Sequence, residues 1–122
     1  MALVFPAPGS NAIQRPAGLI TAQMAALLKR RRWGKMTRCV FLVAWGALRR
    51  ELERTVEYQD FRRAVLERDR FVCQSCGGPG HVVHHRRRVA RAVHLALDPR
   101  NAEVRCEDCH REEHPYWLRR AS

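Results

Sequence analysis

The chain has 122 residues, a length suited to one small domain with an added arm. Its 23 Lys plus Arg against 12 Asp plus Glu give a formal net charge of +11, which favours a polyanionic partner, nucleic acid first and a cationic hold on a membrane surface second. The longest apolar run, the one that holds Cys39 to Ala47, is too short to span a bilayer, and no basic stretch precedes an apolar run at the start, so neither a membrane span nor a secretory signal is expected.

The excess charge is spread along the chain. Residues 1–60 hold 10 basic and 4 acidic side chains, and residues 61–122 hold 13 and 8, so both halves could touch phosphate. Residues 1–16 are rich in Pro, Ala and Gly without periodicity and read as a flexible arm. Thr21 is placed to cap a helix through AQMAALLKRRR, with cations gathered at its C-terminal end and Gly34 as its stop. Phe41, Trp45, Leu48, Leu52 and Val56 then recur at helical spacing and predict the longest helix, with Cys39 as a small buried hydrophobe. Asp60 is expected to cap a third helix, FRRAVLERD. The helical region over residues 17–60, with this third helix, supplies apolar bulk.

After Asp69 the texture changes. FVCQSCGGPGHVVHH reads as a glycine-rich turn between short β-prone pieces. RRRVARAVHLALDP has a helical texture, Asp98-Pro99 marks a turn, and a short strand is expected around Ala102 to Arg105. Glu107 to Arg120 looks helical up to a break or kink at Pro115.

Two Cys-x-x-Cys pairs, Cys73 with Cys76 and Cys106 with Cys109, carry the strongest chemical signal. Four thiolates can surround one Zn²⁺ tetrahedrally, each short loop letting two sulfurs chelate the same ion. A redox pair, disulfides or an iron–sulfur centre are the competing readings, and two matched pairs favour structural zinc. Metal binding should then be part of the folding free energy of this half.

A zinc staple brings His84 and His85 towards His110, which follows Cys109 directly, and His114. His110 and His114 share one helix face. One imidazole from the strand and two from the helix could hold a divalent ion, leaving the other strand histidine to take a proton from water. His81 and His94 lack such partners and read as bystanders.

These residues resemble the HNH, or ββα-metal, nucleases in their four-cysteine zinc-bearing form. The resemblance runs from about Phe61 to Tyr116 through FRRAVLERDRFVCQSCG, VHHRR, Asn101 in PRNAEVRC, and CEDCHREEH. It implies an α+β fold, a zinc-stapled ββα-metal core over residues 61–122, preceded by α-helices. By the same resemblance His85 is the general base, and Asn101 braces it. His84, His110 and His114 hold a catalytic ion, Mg²⁺, Mn²⁺, Ni²⁺ or Zn²⁺. The segment after His85 departs from the family's usual Gly- or Pro-containing loop.

Arg86, Arg87, Arg88 and Arg91 are placed to clamp phosphate beside the scissile bond, and Arg30, Arg31, Arg32, Lys35 and Arg38 form a second basic patch. The expected function is a metal-dependent endonuclease hydrolysing phosphodiester bonds in DNA, double-stranded by preference, with RNA left open. The alternative is a catalytically silent zinc protein that binds nucleic acid or serves a larger assembly, with a protein partner on the N-terminal half. The expected setting is the cytoplasm of a bacterial or phage-infected cell, as expected for a phage or mobile-element enzyme.

Overall fold

The first helix starts where the composition changes. In the computed structural model of the protein, which describes residues 15–112, Pro16 is the N-cap of α1 (Ala17–Arg32). Proline enters a helix with its φ already set and no N–H to lose. The helix therefore begins ahead of Thr21, whose hydroxyl donates to the Gly18 carbonyl inside it instead of capping it. Gly34 ends α1 as expected. It sits at φ 68°, its N–H donates to Arg31 O at 3.1 Å, and the next N–H, of Lys35, donates to Arg30 O at 3.0 Å. That pair of bonds is a Schellman closure, with glycine at the left-handed position.

Thr37 caps α2 (Arg38–Glu53), accepting from the Val40 N–H at 3.4 Å. Ala17, Ile20, Met24 and Leu27 on α1 and Phe41 and Leu52 on α2 are buried. Trp45 stacks on Phe41, ring centroids 5.7 Å apart. Arg15 at the start of α1 pairs with Glu51 at the end of α2, so the two helices run antiparallel. Cys39 is exposed, not buried. It lies about 200° around the helix from Phe41, which puts it opposite the covered stripe. Val40, Leu42 and Val43 are exposed as well, so the apolar run covers one face only.

The long second helix breaks earlier than its periodicity suggests. α2 stops at Glu53, and Val56 opens α3 (Val56–Arg68). The buried Thr55 sits at the break, its N–H and its hydroxyl both donating to Leu52 O, at 3.0 and 2.7 Å. Asp60 consequently falls inside α3, 3.9 Å from Arg63 one turn on, and caps nothing.

The chain divides into two compact units, Met1–Val56 and Glu57–Ser122. In the second, β1 (Val82–His85) pairs antiparallel with β2 (Ala102–Arg105), in the register Val82 with Arg105, Val83 with Val104, His84 with Glu103 and His85 with Ala102. Helices with this small sheet make the α+β fold the sequence implied. Ala102 and Val104 face Phe61, Val65 and Leu66 of α3, with Tyr58, Val83 and Leu97 against them. α4 (Glu107–Glu112) follows β2. The expected helix beyond Glu112, and the arm up to residue 14, lie outside the described residues. No helix among the described residues is long and apolar enough to cross a membrane.

The segment after His85 is not a helix. Arg91 and Ala92 fold back on the Arg88 carbonyl, and a single 3-10 turn covers Val93–Leu95. Val89, Ala92 and Ala96 are buried at intervals of three and four. That spacing gives the helical texture, but here it marks three points at which a loop is pinned.

Asp69 ties the end of α3 to the sheet. Its carboxylate accepts from Arg68 through two bonds, at 2.8 and 3.0 Å, and from the Val104 N–H at 2.9 Å. Arg68 also reaches Pro99 O at 2.7 Å and Ala102 O at 2.6 Å. The Arg68 guanidinium first, and the Val104 N–H after it, hold the Asp69 carboxyl below its ordinary 3.8. Asp69→Ala is expected to destabilise the protein by about 2 kcal/mol in urea unfolding, because the Val104 donor loses a charged acceptor. A depressed carboxyl contributes stability above its unfolded value and loses it as pH falls through its folded one. The gap between wild type and Asp69→Asn should therefore hold down to about pH 5 and close only in stronger acid. A gap already closing near neutrality would show that the carboxylate charge is not the cause.

Candidate metal centre and histidine site

The first cysteine pair sits on a hairpin built by backbone bonds. Cys73 N–H donates to Gly78 O at 2.7 Å, Gly77 N–H to Cys73 O at 2.9 Å, and Gly80 N–H to Phe71 O at 2.8 Å. Val72 pairs with Pro79 as a single antiparallel bridge. Gly77 takes φ 80°, which a side chain would resist, so the glycines after CQSC serve the turn. Gln74 N–H donates to Val104 O at 2.9 Å and lays the hairpin along β2. The second pair brackets the start of α4, where the Cys109 N–H points at the Cys106 sulfur at 3.4 Å.

These turns bring all four sulfurs within 4.8 Å of one another. The Cys76 and Cys106 sulfurs are 3.8 Å apart. Sulfurs placed tetrahedrally about 2.3 Å from one zinc ion would be separated by about 3.8 Å, so the donor set and its spacing fit Zn²⁺. The thiols respond to their crowding in opposite ways. Cys73 is pulled down to about 6, first by the Cys76 N–H and then by those of Cys106 and Ser75. Cys109 is pushed up to about 12, foremost by the Cys106 sulfur. Four thiolates cannot share this space without a cation between them.

The two adjacent histidines diverge, as strand alternation requires. His84, 9% exposed, faces α4, where its ring meets the His110 ring edge-on at 5.6 Å between centroids. His85 turns to the α3 side and stacks on Phe61 at 5.5 Å and 15°. Its Nε2 lies 2.8 Å from the Ala96 carbonyl. A carbonyl only accepts, so Nε2 carries the proton of the neutral ring and Nδ1 is the accepting nitrogen. His114 lies outside the described residues, so the structure brings together two of the three expected ligands.

Asn101 is buried and acts on the loop. Its Oδ1 accepts from the Arg87 N–H at 3.0 Å, and its Nδ2 donates to Arg87 O at 3.1 Å and Leu95 O at 3.4 Å. Its own carbonyl accepts from Arg86 N–H at 2.7 Å. Between Asn101 and the His85 ring, the structure places the loop backbone and no direct side-chain bond. Asn101 fixes Leu95, and the next carbonyl, that of Ala96, meets the ring.

The expected phosphate clamp is not uniform. Arg86 lies 3.5 Å from Glu103, which also pairs with Arg105 at 3.4 Å. Arg87, Arg88 and Arg91 are exposed and make no ion pair among the described residues. In the other unit Arg30, Arg32, Lys35 and Arg38 are exposed, and Arg31 lies over the Phe41 ring at 4.5 Å. The cations of the last turn of α1 also suit the negative end of its dipole. Sequence reasoning missed three participants: Phe61, the Ala96 carbonyl and Glu103. Alternation could have placed Glu103 beside His84 had the strand register been known. Nothing in the sequence marks the Ala96 carbonyl.

No curated protein and no solved structure matches this chain. Residues 73–115 match the model of the HNH endonuclease family, from the first zinc-type cysteine to just beyond His114. That segment holds both cysteine pairs, both strand histidines, the buried asparagine between them and the helix after β2. Within the second unit, the segment 73–115 is therefore similar to the HNH endonuclease family, and it holds four cysteines gathered at metal-binding distance.

Proposed function

We propose that the protein is a metal-dependent endonuclease that hydrolyses phosphodiester bonds in DNA, with His85 as general base. The observation that carries this reading is the His85 ring, oriented by the Ala96 carbonyl so that Nδ1 is its accepting nitrogen, on the strand position next to His84. His84 and His110 would hold a divalent ion together with His114, and imidazole donors suit Zn²⁺, Ni²⁺ or Mn²⁺ better than Mg²⁺. Such an ion, once bound, neutralises charge on the scissile phosphate and on the departing 3′-oxygen.

The remaining work falls to the chain itself. His85 Nδ1 takes the proton of the attacking water. Asn101 keeps the loop, and with it the Ala96 carbonyl, in place. Arg87, Arg88 and Arg91 hold phosphate oxygens, while Arg86 is partly neutralised by Glu103 and contributes less. The N-terminal patch, Arg30, Arg32, Lys35 and Arg38, holds backbone elsewhere on the duplex. The preferred substrate is double-stranded DNA, in the reducing cytoplasm where cysteines stay available to zinc.

The test is nicking of supercoiled plasmid by the full chain in Mg²⁺, Mn²⁺, Ni²⁺ and Zn²⁺, beside His85→Ala. Metal-dependent nicking lost in the variant supports the reading. DNA that is retarded but intact under every metal would instead favour a silent nucleic-acid-binding protein.

A further inference from the structure

Two helices of this chain end in the same way but with different residues. α1 closes with Gly34 at the left-handed position. α3 closes with the same two bonds, Arg70 N–H to Glu67 O at 3.2 Å and Phe71 N–H to Leu66 O at 3.0 Å, but places Arg70 at φ 55° and Phe71 at φ 58°. They are the only non-glycine residues at positive φ among the described residues. Left-handed backbone disfavours any side chain with a Cβ, and an aromatic one offers no local hydrogen bond in return.

The strain is not offset by burial. Phe71 is 52% exposed and Val72 38% exposed, and Pro79, bridged to Val72, is exposed too. Phe71 is held on both sides of its Cα, its N–H by Leu66 and its carbonyl by the Gly80 N–H. The root of the cysteine hairpin therefore presents a rigid apolar tip, with the exposed Arg70 immediately before it. A tip of Phe, Val and Pro beside a cation has the chemistry of a wedge that enters the minor groove and unstacks a base step. A cation next to it can meet the flanking phosphate.

We propose that Phe71, with Val72 and Pro79 beside it, is a wedge that inserts between base pairs of duplex DNA and bends it. The proposal rests on the nucleic-acid reading of this domain and adds a binding element to it, remote in sequence from the histidines. Base stacking of this kind changes affinity about fivefold or more per aromatic. The strained backbone supplies an unusual control, because Phe71→Gly removes the side chain and relieves the backbone at once.

The experiment measures binding and bending of a short duplex carrying a fluorophore at each end, with the full zinc-loaded chain. A His85→Ala background keeps the probe intact. Phe71→Ala and Phe71→Gly should each weaken binding about fivefold or more and abolish the bend. Phe71→Gly should also keep its zinc and melt no lower than its parent. Phe71→Trp should restore both binding and bending. Both small variants binding and bending the duplex as their parent does would overturn the wedge, as would a lower melting temperature in Phe71→Gly with unchanged binding. A parent chain that does not bind DNA at all would instead overturn the nucleic-acid reading on which the wedge rests.

Discussion

Removing zinc is expected to unfold the second unit, not merely to disable it. Its two strands are four residues each. An isolated two-stranded pair is marginal in water, and the apolar face of this one is covered by α3 and Leu97. The core cluster there is Phe61, Val65, Leu66, Ala102 and Val104, to which the loop adds only the smaller Val89, Ala92 and Ala96 among the described residues. Structural zinc contributes about 10–16 kcal/mol in finger peptides, comparable to or larger than the whole stability of a small domain at about 5–15 kcal/mol. The sulfurs also close the chain between Cys76 and Cys106, which contains both β1 and the loop that orients His85. A strong chelator should therefore abolish the near-ultraviolet signal of the folded unit and free four thiols to a colorimetric reagent, and zinc should restore both. Cys106→Ser should show the same loss at lower chelator concentration. A protein shown by elemental analysis to be zinc-free, yet unfolding with an unchanged midpoint, would refute the staple.

The same physics explains what could be read from the sequence. The four cysteines were legible because metal chelation fixes residue type and spacing together, leaving little freedom for other uses. The strand at Ala102 to Arg105 and the stop at Gly34 were legible for a related reason, since each is decided within a few residues. The helix boundaries were not. Pro16 overrode Thr21 as the start of α1, and Thr55 broke a heptad-like run that reads as continuous through Val56. The pinned loop after Arg88 was misread because Val89, Ala92 and Ala96 carry helical spacing, while the Arg87 and Leu95 carbonyls accept from the Asn101 side chain. Cys39 was misplaced because an apolar run does not say which of its faces is covered. The paired histidines lie between these cases. Their divergence follows from strand alternation alone, but their targets, His110 on one side and Phe61 with Ala96 on the other, depend on register and on residues far away in the chain.

His85→Ala should lower the metal-dependent nicking rate by about 10²- to 10⁴-fold, the range for loss of a positioned general base. The loss must be separated from damage to the fold, because the His85 ring also stacks on Phe61 and donates to the Ala96 carbonyl. Truncation leaves that carbonyl without its donor and opens a gap beside the core, a cost of about 1–3 kcal/mol. Melting temperature and zinc content are therefore measured on the same sample. Added imidazole gives a readout that packing alone would not move. A ring diffusing into the gap left by His85→Ala can accept the water proton, so millimolar imidazole should recover part of the rate in proportion to its neutral form. Asn101→Ala provides the contrasting case. It releases Arg87 and Leu95 while leaving the His85 ring in the chain, so its rate should fall without being rescued by imidazole. Rescue of His85→Ala but not of Asn101→Ala would assign proton transfer to the ring and orientation to the amide. A folded, zinc-loaded His85→Ala protein that nicks at the parental rate would remove the histidine from the chemistry.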